Sequence, residues 1–278
     1  MMEHCRFFAI VFCLSAGPAF GQSFNIAIGP STSRPATSYG AAGLPGVWNA
    51  IPAAHNTTTS NLRQIDGTVS VMSVNQIGGT DLVSFDDPLT AGDDAKLMDH
   101  CLVTFTSNLE TCLFFNDLEN GNYEVICYAM MPGSPAVSSY TNSEEESGNP
   151  HYTVGGAWPG QHQELVTYSR HYCRVGPPGN DGLLRLHSGI APGEDPMLGA
   201  ACNGVQLRKL PPLAPADMNC DGAVNGRDVD HFVTALVDDD AYRDANPTCN
   251  IMHADLSGNG DVGVEDVAGF VNAALSSS

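Results

Sequence analysis

NYEVICYAM, residues 122–130, alternates with a period of two: Tyr123, Val125, Cys127 and Ala129 fall on one face of an extended chain. That spacing is the mark of a β-strand with one side on a core. Similar runs lie on both sides of it. FNIAIG (24–29), TVSVMSV (68–74) and TCLFFND (111–117) precede it, and ELVTYSRHYCRV (164–175), GLLRLHS (182–188) and NGVQLRKL (203–210) follow. Turns rich in Gly, Asn and Pro separate them, and DDAKLMDHCL (93–102) is the one stretch that suits a short helix. Strands at this spacing predict a mostly β chain, an antiparallel jelly-roll-like sandwich, with a closed barrel as the alternative.

Composition agrees. Of 278 residues 42% are apolar, enough for a sizeable core, while only 15% are charged and Gly (29) and Pro (18) are plentiful. The formal net charge of -20 argues against nucleic acid, whose phosphates need a basic face, and against docking on anionic lipid. Acidity of this size solubilises a surface; where the acids cluster at ligand spacing, it also favours divalent cations.

The N-terminus has the pattern of an export signal. Arg6 is followed by the apolar FFAIVFCL (7–14), and Ala19-Phe20-Gly21 puts small residues around a cleavage point after Gly21. The apolar run is too short to span a bilayer. The mature chain is expected to be secreted or held at the cell surface, without membrane insertion. Seven cysteines then remain, and in an oxidising compartment most of them should pair. Cys220 and Cys249 stand apart from the others and are natural partners; the pairing of Cys101, Cys112, Cys127, Cys173 and Cys202 stays open.

LPPLAPA (210–216) is uncharged and rich in Pro and Ala, the composition of a short stiff linker. It divides the chain into a signal (1–21), a sandwich (22–210), a linker (211–216) and a tail (217–278). The tail opens with DMNCDGAVNGRD, residues 217–228. With Asp217 in position 1, Asn219, Asp221, Asn225 and Asp228 take positions 3, 5, 9 and 12 of a twelve-residue calcium loop, Gly222 sits at the sharp turn, and the Ala223 carbonyl supplies position 7. The pattern returns 38 residues later with Asp255, Ser257, Asn259, Asp261 and Asp266, with Gly263 offering no side chain at position 9. Calcium takes six to eight oxygens, so both segments suit it, the first more fully. Each runs into helical spacing, Val229, Phe232, Val233 and Leu236 in one and Val267, Phe270, Val271 and Ala274 in the other, two stripes able to bury each other.

These two segments, DMNCDGAVNGRD and DLSGNGDVGVED, resemble those of type I dockerins over about residues 217–275. The resemblance implies two structural calcium ions held by the residues just named, and a cohesin-like or cell-surface protein as partner. At the positions that face the partner in dockerins, this chain has Gly226-Arg227 and Val264-Glu265 in place of the usual small hydroxyl pair. More weakly, GVWN (46–49), LENGNYEV (118–125) and NGVQLRKL (203–210) resemble galactose-binding-like jelly rolls of bacterial secreted proteins, which implies end loops able to bind glycan.

Other candidates carry less. GNGDVG (258–263) has the letters of a dinucleotide motif but lies inside an acidic calcium loop and follows no strand. SEEES (143–147) has the composition of a solvated loop, and Asp86-Asp87 with Asp93-Asp94 offer a further place for a structural calcium. Trp48 suits a core. Trp158, in the loop sequence GGAWPGQ, is the candidate for stacking on a sugar ring, ahead of Tyr140 and Tyr152. The expectation is a non-catalytic binding and anchoring protein; the alternatives are a polysaccharide-degrading hydrolase and a structural envelope or matrix protein.

Overall fold

The computed structural model describes residues 21–79, 81–105, 110–176, 181–212, 214–246 and 249–276; the signal segment, apart from Gly21, lies outside them. Among the described residues the strands are β1 (Ser23–Ile28), β2 (Trp48–Ile51), β3 (Thr57–Thr59), β4 (Ser73–Ile77), β5 (Asp81–Ser84), β6 (His100–Thr104), β7 (Thr111–Asn116) and β8 (Gly121–Tyr128), then β9 (Ser138–Ser143), β10 (Tyr152–Gly155), β11 (Tyr168–Val175), β12 (Leu184–Ile190), β13 (Ala200–Cys202) and β14 (Gly204–Lys209). The helices are α1 (Gly92–Met98), α2 (Asp228–Val237), α3 (Asp239–Ala245) and α4 (Val267–Ser276). The chain is mostly β, a sandwich followed by a small helical part. A five-stranded sheet in the order β11-β8-β14-β1-β2 faces a six-stranded sheet in the order β10-β9-β12-β7-β4-β3, and β13-β6-β5 form a small third sheet. Pairing is antiparallel throughout except between β1 and β2.

The alternation in 122–130 builds the interior. Tyr123, Val125 and Cys127 of β8 enter the core with Phe24 and Ile26 of β1, Val205 and Leu207 of β14, and Leu113 and Phe115 from the opposite sheet. The other face of β8 presents Glu124, Ile126 and Tyr128, and these are buried too. Ile126 and Tyr128 pack under a second cluster with Trp48, Leu97 and Met98. The five-stranded sheet is therefore covered on both faces, which is why β8 is closer to a continuous apolar run than to a clean alternation.

Several expectations are corrected. The strand expected at 68–74 is displaced to Ser73–Ile77: Val69 and Val71 face solvent while residues 68–72 turn over Leu62. The helix expected over 93–102 stops at Met98, because His100–Thr104 pairs with both β5 and β13, and sheet pairing outweighs local helical preference. Cys101, Cys112, Cys127, Cys173 and Cys202 are thiols, all buried, so they act as small apolar core residues. Burial pushes the Cys101 thiol well up and that of Cys112 to about 12, which keeps both protonated at neutral pH.

Two loop readings also change. Trp158 is buried, with its ring edge-on to His162 at 5.2 Å in the cluster that holds Trp48 and Tyr128, so its face is not a platform for sugar. SEEES is not solvated as a whole: Glu145 and Glu146 are buried, Glu145 beneath the Arg185 guanidinium at 2.8 Å and Glu146 2.6 Å from His171 Nδ1. Scarce cations draw these carboxylates inward.

In the tail, α2, α3 and α4 close over Met218, Phe232, Tyr242, Ile251 and Phe270. Cys220 and Cys249 form a disulfide. The expected stripes are only half buried. Phe232 and Phe270 point inward, but Val229, Val233, Val267 and Val271 are exposed, since the facing Ala235, Ala273 and Ala274 let the short helices meet along a narrower face. Segment 211–216 does not hold the two parts apart. Ala216 is wholly buried in the tail cluster, its N–H donates to the His253 carbonyl at 2.8 Å, and the tail packs on the sandwich through Tyr172.

Candidate functional site

The two acidic loops fold alike. Gly222 and Gly260 both adopt positive φ (+87° and +95°) at the sixth position, where the chain must turn sharply. In the first loop the Gly222 N–H donates to Asp217 Oδ2 at 3.0 Å, Asn225 N–H to Asp228 Oδ2 at 2.8 Å, and Asn219 N–H to Asp228 Oδ1 at 3.1 Å. In the second, Gly260 donates to Asp255 Oδ2 at 3.0 Å, Gly263 to Asp266 Oδ2 at 2.8 Å, and Ser257 to Asp266 Oδ1 at 2.8 Å. The repeat seen in sequence is thus a repeat in backbone geometry. The residue in position 12 is the pivot: Asp228 and Asp266 are fully buried carboxylates.

The loops differ at position 1. Asp217 is 5% exposed, yet its Oδ1 finds no hydrogen-bond donor among the described residues. Both oxygens of Asp255 are taken, Oδ1 by the Gly258 N–H at 2.7 Å and Oδ2 by Gly260. A bare buried carboxylate oxygen is costly unless a cation meets it. The oxygen-only donor set, with its buried Asp217 oxygen to spare, fits a hard divalent ion such as calcium. Asp217, Asn219, Asp221, the Ala223 carbonyl, Asn225 and Asp228 would hold it in the first loop, and Asp255, Ser257, Asn259, Asp261 and Asp266 in the second.

The disulfide stands directly beside the first loop. Cys220 is its fourth residue, Cys249 Sγ lies 3.6 Å from the Met218 carbonyl, and His253 Nδ1 lies 2.7 Å from the Asp217 carbonyl. The sulfurs and His253 cluster closely enough to resemble a metal site, but the sulfurs are bonded to each other and offer no thiolate. Asp86, Asp87, Asp93 and Asp94 do not converge. Asp87 accepts from Leu89 and Gly133, Asp93 binds Lys96, and Asp94 accepts from the Tyr39 hydroxyl at 2.5 Å.

A seam joins tail and sandwich, and sequence reasoning missed it. Glu124, on the outer face of β8, is 4% exposed and faces three guanidiniums. Arg170 donates to it at 2.6 Å, Arg208 at 3.0 Å, and Arg243, from α3 of the tail, approaches to 3.9 Å. Burial pushes the Glu124 carboxyl up, but Arg208, Arg170 and Arg243 together outweigh it and hold the carboxyl below its ordinary range. Arg243 also lies over the Tyr172 ring, 5.2 Å from its centroid. At the other end of the seam, Ser147 Oγ donates to the Asn259 carbonyl of the second loop at 3.1 Å. The available signal was a count: with Lys and Arg totalling 11 in the chain, four arginines fall in the outward strand positions 170, 174 and 208 and in α3.

One further constellation was missed. Ser169 Oγ is 3.1 Å from His171 Nε2, and His171 Nδ1 is 2.6 Å from Glu146 Oε2, the bond order of a hydrolytic triad. Ser169 and His171 are wholly buried between the sheets, Thr141 Oγ1 shares the same nitrogen at 3.2 Å, and neither Ser169 nor His171 lines a described cavity. The group satisfies polar atoms inside the sandwich.

No family model matches this chain, and no curated protein does. Solved structures with a distant likeness include a plant peptide complex, RALF23 with FER and LLG2 (11% identity, 75% of this chain and 44% of that one, TM-score 0.39). Others are the Bacteroides uniformis beta-glucuronidase (12%, 59% and 20%, 0.35) and the Podospora anserina GH26-CBM35 beta-(1,4)-mannanase (8%, 59% and 35%, 0.29). This chain spans less than half the length of each, and likenesses at these scores say nothing about what it binds.

Proposed function

We propose that this is an exported, non-catalytic binding and anchoring protein whose tail is folded by two calcium ions, with the sandwich carrying a glycan site and the tail docking on a partner protein. The buried, donorless Oδ1 of Asp217 carries the calcium reading. The resemblance of the tail to type I dockerins supports it. From Asp217 to Asp266 twelve acids face only Arg227 and Arg243, a net of −10. Two divalent ions would cancel four of those charges and tie together the ends of each loop, so that binding free energy becomes folding free energy.

The docking surface would be the outward rows of the two repeats. Val229, Val233 and Val237 in α2, and Val267, Val271 and Leu275 in α4, are spaced four apart, 38 residues from one row to the other, and all are exposed. Exposed apolar rows on both repeats are the surface a partner protein would cover. The ions do no chemistry on this reading; they build the surface. Among the described residues no helix is long and apolar enough to cross a membrane.

Calorimetric titration of the full chain with calcium tests the reading. It should find two sites, the tighter one lost in Asp217→Ala and the weaker in Asp266→Ala. A flat titration refutes it. Sequencing the mature N-terminus should begin at Gln22; an intact Met1 in the exported protein refutes cleavage at Gly21.

A further inference from the structure

A cavity of ≈ 460 Å³ opens between the outer face of the five-stranded sheet and α3. Its floor is a row of paired strands: Arg170 stands opposite Ile126, Ile126 opposite Gln206, and Gln206 opposite Asn25. All four are buried, and the polar ones are locked. Gln206 Nε2 donates to Asn25 Oδ1 at 2.8 Å, Gln206 Oε1 accepts from the Tyr128 hydroxyl at 2.5 Å, and Asn25 Nδ2 donates to the Leu44 carbonyl at 3.0 Å. Leu44 and Ile65 make one apolar wall, and the tail makes the other with Asp240, Arg243 and Asp244. Asp240, Asp244 and Gln161 are exposed at the rim.

We propose that this crevice is a binding site for a neutral pyranose, completed by the tail. The inference rests on the glycan reading above and gives it a place. Charge selects the class: the lining holds three cations (Arg170, Arg208, Arg243) and three anions (Glu124, Asp240, Asp244), so neither an acidic nor a basic ligand is favoured. The exposed Asp240 and Asp244 carboxylates and the Gln161 amide at the rim, beside an apolar wall, match the hydroxyl rim and the C–H face of a sugar ring. The volume suits one or two rings. A rigid, pre-bonded floor lowers the ordering cost of binding.

The tail's share ties the crevice to the first calcium loop through adjacent residues of α3. The Tyr242 hydroxyl, in the tail core, donates at 2.8 Å to the carbonyl of Met218, the second residue of that loop. Its neighbour Arg243 reaches Glu124 and Tyr172 on the sandwich. Loss of order in the loop removes the support of Tyr242 and with it the wall that carries Asp240, Arg243 and Asp244. Sugar binding and calcium binding are therefore coupled, each favouring the other.

The test is calorimetry on the full chain in calcium with cellotetraose, mannotetraose, xylotetraose and galactotetraose, and with tetragalacturonate as the charged control. One or more neutral tetrasaccharides should bind. Asp244→Ala and Gln161→Ala should each weaken that binding by about tenfold with the calcium titration unchanged, and excess chelator should weaken it by at least as much. Normal calcium binding with no neutral sugar bound overturns the crevice while leaving the calcium reading intact. The crevice is equally overturned by a preference for tetragalacturonate or by sugar binding indifferent to both rim variants. Sugar binding that persists undiminished in chelator overturns the coupling, and a missing calcium heat beside intact sugar binding sinks the calcium reading and spares the crevice.

Discussion

Phe232 and Phe270 lie face to face, with ring centroids 4.0 Å apart and planes 6° from parallel. They are also equivalent residues, one in each repeat, 38 positions apart. Each stands four residues beyond the buried position-12 aspartate of its own loop, Asp228 or Asp266. The stacked pair therefore links the two loops within the tail cluster that also holds Met218, Tyr242 and Ile251. Truncating either ring should loosen both loops. Phe270→Ala is expected to cost the tail about 3 kcal/mol or more, the usual penalty for emptying a buried Phe site, and to weaken calcium at the first loop as well as the second. Calcium titration of the variant checks this; an effect confined to the second loop would show the repeats to be independent.

The disulfide should behave as part of the first loop. A bridge with sequence separation 29 is worth about 3–4 kcal/mol in the chain-entropy picture. Because Cys220 lies in the loop and Cys249 packs on the Met218 carbonyl, Cys249→Ser should lower calcium affinity at the first loop more than at the second. Equal losses at both loops would count against this.

Buried charge at the seam makes Glu124 its weakest point to mutation. Glu124→Gln removes the buried carboxylate that Arg170, Arg208 and Arg243 share, and a broken buried pair typically costs about 3–5 kcal/mol. Arg243→Ala leaves Glu124 with two partners and should cost less, while loosening one of the tail's contacts with the sandwich. Chemical denaturation of both variants gives the order; Arg243→Ala proving the more damaging would contradict it.

His162 supplies a pH dependence. Burial drives it from its ordinary 6.5 down to about 4, against the pull of Asp94 3.5 Å away. The Tyr39 hydroxyl spends its proton on Asp94, so His162 Nε2 must be the donor across its 2.6 Å contact with Tyr39, which fixes the neutral tautomer. Between those values the unfolded chain binds more protons than the folded one. Stability from this residue is therefore full above 6.5 and falls as pH drops toward 4, by roughly 3 kcal/mol. His162→Gln should flatten that part of the stability curve; an unchanged slope would place the titration elsewhere.

Trp158→Ala should destabilise the sandwich in proportion to the cavity it leaves, about 3–5 kcal/mol, since the ring packs among Trp48, Tyr128 and His162. A folded variant with selectively impaired sugar binding would restore its stacking role.

Much of what depends on local pattern could be read in advance, though not the strand at 68–74 or the end of the helix at Met98. Tyr123, Val125 and Cys127 point inward as their spacing requires, and each loop residue sits where the repeat puts it. Long-range pairing was not legible. β9, SSYTNS, has no apolar signal, because its inward Thr141 is held by Ser169 and His171 rather than by packing. Val229 and Val233 misled because periodicity gives a helix a face but does not say how wide a face its neighbours cover. The seam around Glu124 joins residues 124, 170, 208 and 243, which only the fold assembles.

Hydrogen exchange on the full chain, read by mass spectrometry with calcium and with excess chelator, bears most directly on calcium as the element that folds the tail. Amides of 217–276 should gain strong protection with calcium, those of the α3 seam at 124, 170 and 172 should gain some, and the core strands at 24–28 and 205–207 should not change. Equal protection of 217–276 in calcium and in chelator would contradict the account.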